Sequence, residues 1–335
     1  MSGSKRVLLS GTALAFLAAC GSSGSSVSRG IVSISPAEEA TRTFAQVDAD
    51  TQQDAGGAIA DGQTLTARSV GVAGLSLNYG NGDTGLADAA VSVVRNADGE
   101  LTVTLNGVEQ AFTTADRFVE DDGTVFGYDI ADDANSVYVS AFSQTGELNE
   151  FLNPGRGYAE VLSVQSNQVP GGADLRAYAV LGAETRDEAL ASLPTATYNG
   201  RARLDAVPDT GFVNNGTSRT RVRGDVTMMA DFGAGTINGT LSDITTQTGD
   251  DGLELSIAGS VAMNTARFNV NGFRSSLTGD STLAASGLTL GSGSTYSGAF
   301  YGPAAEEVGG VLSATGTFEG ENYNAVGFFV ADQYD

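Results

Sequence analysis

The chain carries 40 Asp and Glu residues, no histidine, no tryptophan and a single cysteine, Cys20. Without an imidazole, neither a Ser-His-Asp nor a Cys-His nucleophile system can be assembled. Zinc sites built on His or Cys and haem held by His fall away with them. Carboxylates remain, and two would suffice for glycoside hydrolysis. With 40 of them spread along the chain, no pair stands out. The stretch Asp48-Ala49-Asp50-Thr51-Gln52-Gln53-Asp54 alternates like the start of a calcium loop. It lacks the glycine at loop position six and the glutamate at position twelve, so it reads as solvated loop. No catalytic, cofactor-binding or metal-binding residue is assigned, and the chain reads as a non-enzyme.

The cations are fewer and more concentrated. Lys5 is the only lysine; every other basic residue is arginine. Arg219, Arg221 and Arg223 share one face of a strand by their spacing of two, and Arg201 and Arg203 do the same on the strand before. A hairpin around residues 207–217 would gather these five arginines outside the fold. Such a patch suits an anionic partner, for instance a sulfated or phosphorylated glycan or an acidic protein surface. The competing reading is neutralisation by Asp and Glu on neighbouring strands. The formal net charge of −23 repels nucleic acid and anionic membrane surfaces.

The elements that would position these groups are strands. Glycine is abundant, at 45 residues, and proline scarce, at 6. Short alternating runs separated by Gly, Asn and Asp recur throughout, the pattern of antiparallel β structure. Ala90–Arg95, Leu101–Leu105 and Val108–Phe112 are joined by Asn96-Ala97-Asp98-Gly99 and by Asn106-Gly107, the latter a strong hairpin signal because both residues tolerate positive φ. Further strands are expected at Ser69–Tyr79, Val125–Ile130, Ser136–Phe142, Tyr158–Val164 and Leu175–Leu181. Glu184–Leu190 reads as a helical turn stopped by Leu193-Pro194, with a domain boundary there.

Beyond it the alternation becomes more regular. Ala196–Leu204, Thr220–Phe232, Thr236–Ile244, Leu253–Gly259, Ala266–Phe273, Thr282–Leu288, Thr295–Tyr301, Val308–Thr315 and Ala325–Val330 are expected as eight or nine strands. Val222, Val226, Met228 and Phe232 share an apolar face, and Leu253, Leu255 and Ile257 share another. Eight strands suffice to close a barrel filled by side chains, and closure removes the sheet edges. A membrane-spanning barrel would need longer strands with an apolar exterior and aromatic girdles, so a soluble barrel is expected. The fold class is all-β: an N-terminal β domain (65–192), then a soluble eight-stranded antiparallel barrel (193–335).

The first residues read as an export signal. Lys5 and Arg6 precede an uncharged run, Val7 to Ala19, too short to span a membrane as a helix. The run ends Leu17-Ala18-Ala19-Cys20, which resembles the lipobox of bacterial lipoproteins. That resemblance implies a signal peptide at 1–19, lipidation of Cys20 (palmitate among the acyl chains), and anchoring to a membrane through the lipid. Gly21 after the cysteine, in place of aspartate, implies the outer membrane. Several acyl chains would hold the protein durably, whereas one alone holds weakly. Residues 20–64 read as a flexible or irregular tether that opens with a Gly/Ser run.

A second resemblance covers residues 195–335. Gly298-Ala299-Phe300-Tyr301-Gly302-Pro303-Ala304-Ala305-Glu306-Glu307-Val308-Gly309-Gly310 is similar to the signature hairpin of the β-barrel in transferrin-binding protein B and its relatives. Thr195–Ala202, Ala230–Gly239 and Ala325–Phe329 agree with it. The resemblance implies a "handle" β domain followed by a barrel, here in a single lobe. It also implies a non-enzymatic surface lipoprotein that captures a protein or small-molecule ligand. Iron or haem acquisition, or a structural envelope role without ligand, are the alternatives. Within the signature, Gly302-Pro303 should end a strand, Ala304-Ala305-Glu306 suits a short helical turn, and Gly309-Gly310 permits close packing.

Overall fold

The computed structural model describes residues 32–33, 64–74, 84–95, 101–119, 125–129, 137–141, 158–166, 174–182, 184–209, 220–248 and 253–333. Cys20, Arg219 and the Asp48–Asp54 stretch lie outside them.

The first half forms two sheets. The larger contains β1 (Val32–Ser33), β3 (Arg68–Gly74), β4 (Thr84–Ala87), β8 (Arg117–Val119), β9 (Val125–Asp129), β10 (Val137–Ala141), β11 (Ala159–Ser166) and β12 (Asp174–Gly182), in the order β1-β3-β12-β11-β10-β9-β8 with β4 on β3. The smaller is β2 (Thr64–Thr66), β5 (Val91–Arg95), β6 (Leu101–Leu105) and β7 (Val108–Phe112). β1 lies in the segment expected as tether, and its backbone pairs in parallel with Arg68 and Ser69. Asn106 and Gly107 adopt φ of 50° and 82°, the positive values that the tight β6–β7 turn needs. Val91, Val93, Val103, Leu105 and Phe112 pack between the sheets against Leu162, Val164, Leu175, Ala177 and Leu181.

The second half is a closed barrel. Its strands are β13 (Ala196–Pro208), β14 (Thr220–Asp231), β15 (Thr236–Thr248), β17 (Val261–Arg267), β18 (Phe273–Gly279), β20 (Thr295–Tyr301), β21 (Glu307–Phe318) and β22 (Glu321–Gln333). Each pairs antiparallel with the next, and β22 returns to β13, so eight strands close the ring. β16 (Glu254–Ser256) and β19 (Leu288–Leu290) are short additions that pair with β15 and β21 beside the eight-strand ring, Leu288 reaching into the barrel core. On β14 burial alternates strictly from Gly224 to Asp231, buried inward and exposed outward, the pattern of a barrel wall in water.

Several expectations in this half are corrected. Leu253–Gly259 supplies only the short β16, and Leu253 and Leu255 are exposed rather than turned to the core. Ala266–Phe273 contains the turn between β17 and β18 instead of a strand. Thr282–Leu288 begins as helix: α2 (Ser281–Ala285) starts where the Asp280 carboxylate accepts the N–H of Leu283 at 2.7 Å. That carboxylate caps an otherwise orphan donor, a helix-start signal stronger than the local alternation. The earlier helix, α1 (Asp187–Leu190), falls within the expected Glu184–Leu190 turn. Ala304-Ala305-Glu306 is a turn rather than helix, with Ala305 at φ 57°.

The barrel packs sideways on the larger sheet. Val311, Val326, Phe328, Val330 and Tyr301 point out of the barrel and meet Val161, Tyr178 and Val180 of β11 and β12, together with Tyr158 just before β11. β11 and β12 are thus covered on both faces, as are β21 and β22. That is why Leu175–Leu181 and Ala325–Val330 read as nearly continuous apolar runs instead of alternating.

Candidate functional site

Three regions gather the residues that could act. The first is the arginine face of β13 and β14. Their register sets Arg201 opposite Asp225, Arg203 opposite Arg223, and Asp205 opposite Arg221. The inward partners on these strands, Ala202, Leu204, Val222 and Val226, belong to the barrel interior, so the arginines project outward. The structure therefore brings Arg201, Arg203, Arg221 and Arg223 onto one face. Two aspartates share it. Arg201 pairs with Asp225 at 3.2 Å, both half-exposed. Asp205 is buried and accepts from Arg176 Nη1 and from the Tyr178 hydroxyl, each at 2.7 Å. Burial, and next the Asp205 charge, push the Tyr178 hydroxyl well above the ordinary tyrosine range. Arg176 also donates to Gln165, and Arg221 reaches the Gln247 side chain at 3.4 Å. One edge of the arginine face is thereby built into the contact with β12.

The second region is the junction between the two halves, which the sequence did not disclose. Asn271, in the turn after β17, is fully buried. Its Nδ2 donates to the carbonyls of Thr185 and Phe300, and its Oδ1 accepts the Phe300 N–H, all at 2.8 Å. Its own N–H donates to Asp187 of α1 at 2.6 Å, and its carbonyl accepts from Arg68 of β3 at 3.2 Å. Nearby, Glu307 is buried and accepts the N–H groups of Tyr158 and Ala159 at 3.0 and 2.9 Å on Oε2. Desolvation raises its carboxyl to about 7 against the pull of those two amides, and Asp332 and Glu306 add to the rise. Asp332 is the Cα partner of Glu307 on β22. The signal available for this region was the polar Glu307 at the start of an apolar strand.

The third region is the barrel interior. One end is plugged by aromatic rings: Phe232, Phe268 and Phe273 lie 4.9, 5.1 and 5.5 Å from Phe300 between centroids. Tyr198 closes this end, its hydroxyl donating to the Ala305 carbonyl at 2.8 Å. The other end is lined by alanines and aliphatic residues and holds a cavity of about 100 Å³. Among the described residues no group of three or more His, Cys, Asp and Glu could hold a metal ion.

The described residues thus form an eight-stranded, aromatic-plugged barrel docked sideways on a β sheet. Residues 192–333 match the family described as the C-lobe and N-lobe β barrels of transferrin-binding protein B, and this part of the chain is a barrel of that type. Among solved structures, the chain is similar to transferrin-binding protein B of serogroup B Neisseria meningitidis, at 17% identity over 81% of this chain and 44% of that one, with a TM-score of 0.41. It thus spans less than half of the meningococcal protein. A transferrin-binding protein B double mutant from Haemophilus parasuis matches at 13% identity over 81% and 76% of the two chains, TM-score 0.39. HpuA of Kingella denitrificans, solved in complex with human haemoglobin, matches at 12% over 80% and 87%, TM-score 0.35. At such scores the overlays carry no functional weight, and the family match alone identifies the barrel. No curated protein matches the chain.

Proposed function

We propose that this chain is a non-enzymatic lipoprotein, anchored in the outer membrane through lipid on Cys20, that captures a protein or ligand at the cell surface. Residues 65–192 serve as the handle and 193–335 as the barrel, held out on the tether from Cys20. The observation that carries this reading is the match of residues 192–333 to the barrels of transferrin-binding protein B, in a chain with a lipobox at its start. The outward arginines Arg201, Arg203, Arg221 and Arg223, with Arg219 beside them in sequence, offer contact to an anionic partner in a chain whose net charge is otherwise strongly negative.

Protease treatment of intact cells should remove the protein from the surface, while Cys20→Ser should release it from the membrane fraction. Proteins retained by the purified full chain are then identified and re-bound to an Arg221→Glu/Arg223→Glu variant. Weakened, salt-sensitive binding supports the arginine face. Full protection in intact cells, or retention in the membrane fraction without Cys20, overturns the surface-lipoprotein reading.

A further inference from the structure

Eight strands make a barrel just wide enough for side chains to fill, and folded interiors seldom leave voids larger than a water molecule. This barrel is filled at its aromatic end only. At the other end the inward positions Ala202, Ala206, Ala314 and Ala325 are small, and the cavity of about 100 Å³ remains between them and the aliphatic wall. Thr220, Thr246, Glu321, Asn322 and Tyr323 form its mouth. The apolar surface does not stop there. Leu255 is the Cα partner of Thr246 across the β15–β16 pair, and it is 54% exposed; Leu253 is 84% exposed. Leu255 thus stands next to this end of the barrel, across from a residue that lines the cavity, and Leu253 lies two residues before it; both leucines are held in water.

We propose that this end of the barrel binds the end of an alkyl chain carried by a neutral or cationic amphiphile. The size follows from comparison with a dry apolar cavity of about 150 Å³ that admits benzene: the space here is somewhat smaller and takes several methylenes, with the rest of the chain lying over Leu253 and Leu255. Recognition is by apolar lining with few polar groups at the mouth, the usual form of a small-molecule site. The head-group preference follows from charge. Glu321 stands at the mouth of a chain with net charge −23, so a carboxylate or phosphate head is repelled. The site does not depend on the partner-capture reading, since it uses the barrel interior and not the arginine face.

The test uses the full chain carrying Cys20→Ser, so that no attached lipid competes. Decylamine, decanol and decanoate are titrated by calorimetry. Decylamine and decanol are expected to bind at one equivalent, and decanoate at least tenfold more weakly. Ala314→Leu and Ala206→Leu, each filling the cavity, should weaken decylamine at least tenfold while near-ultraviolet dichroism stays that of the parent. Should both variants fail to fold, benzene titrated into the parent chain and followed by methyl NMR decides the matter: shifts at Leu312 and Met263 support the site. Absence of stoichiometric decylamine binding, undiminished binding in a folded filled variant, or no benzene shifts at those methyls overturns it. Equal affinity for decanoate overturns the head-group assignment.

Discussion

Glu307 allows a quantitative test of the junction. Its carboxyl is buried against β11 and titrates near 7 rather than near 4.5. A carboxyl that binds its proton more tightly folded than unfolded stabilises the fold when protonated. That stabilisation is complete below the unfolded pKa and lost as pH rises through the folded one. At about 1.4 kcal/mol for each pH unit between the two values, the full effect is about 3 kcal/mol, most of it developed between pH 8 and pH 5. Glu307→Gln removes the ionisation and keeps an oxygen for the Tyr158 and Ala159 amides. Urea unfolding of parent and variant, followed by tyrosine fluorescence, gives the difference in stability at each pH. Relative to the variant, the parent should gain about 2 to 3 kcal/mol from pH 8 to pH 5, most of it below pH 7. Taking the difference cancels the opposing titration of carboxylates remote from Glu307, and what remains includes its coupling to Asp332 and Glu306. A difference flat to within about 0.5 kcal/mol across that range would refute the claim that Glu307 is desolvated by the docked handle.

Two further outcomes test the packing. Asp205→Ala leaves the Arg176 guanidinium and the Tyr178 hydroxyl without the carboxylate that accepts from both. It should cost about 3–5 kcal/mol in denaturant unfolding, the range for breaking one side of a buried ion pair, and a cost below about 1 kcal/mol would mean the pair is effectively solvated. Gly310→Ala would drive a Cβ into the Ser297 carbonyl oxygen and set it 2.6 Å from the Gly298 Cα. Backbone cannot yield as a side chain does, so a loss of about 1–3 kcal/mol and a lower melting temperature are expected; an unchanged melting temperature would show that β20 and β21 are further apart.

The barrel was largely legible in the sequence because most of its wall faces water on one side, and Val226, Met228 and Ala230 then alternate with exposed neighbours. The signature around Gly302-Pro303 marked the right fold, and at Gly309-Gly310 the backbone lies close to its neighbours: Gly310 sits tight against β20, and a Cβ on Gly309 would lie 3.1 Å from Val180 on β12. Legibility failed where local and distant interactions compete. Residues 281–285 alternate enough to read as strand, yet the Asp280 cap turns them into helix. Leu253 and Leu255 look like core residues by type, but Leu255 sits on the three-residue β16 and Leu253 just before it, and both are exposed. Composition alone could not reveal that Asp205 would sit beneath β12, where it neutralises part of the arginine face, because that depends on how the two halves dock. The interior cavity was hidden for a related reason: four alanines mean underfilling only once they are known to occupy the same end of the barrel.

Asn271 has a kinetic consequence. It draws together Arg68, Thr185, Asp187 and Phe300, and the contact with Arg68 closes a span of 203 residues. Contacts so distant in sequence form late and slowly, since the loops must close before the bonds reward them. The knot ties β3 to the turn between β17 and β18, so it cannot be completed while only the N-terminal half has been synthesised. The two halves can therefore dock only once both are present, and a chain cut short after β12 would expose the apolar face of β11 and β12 that the barrel covers.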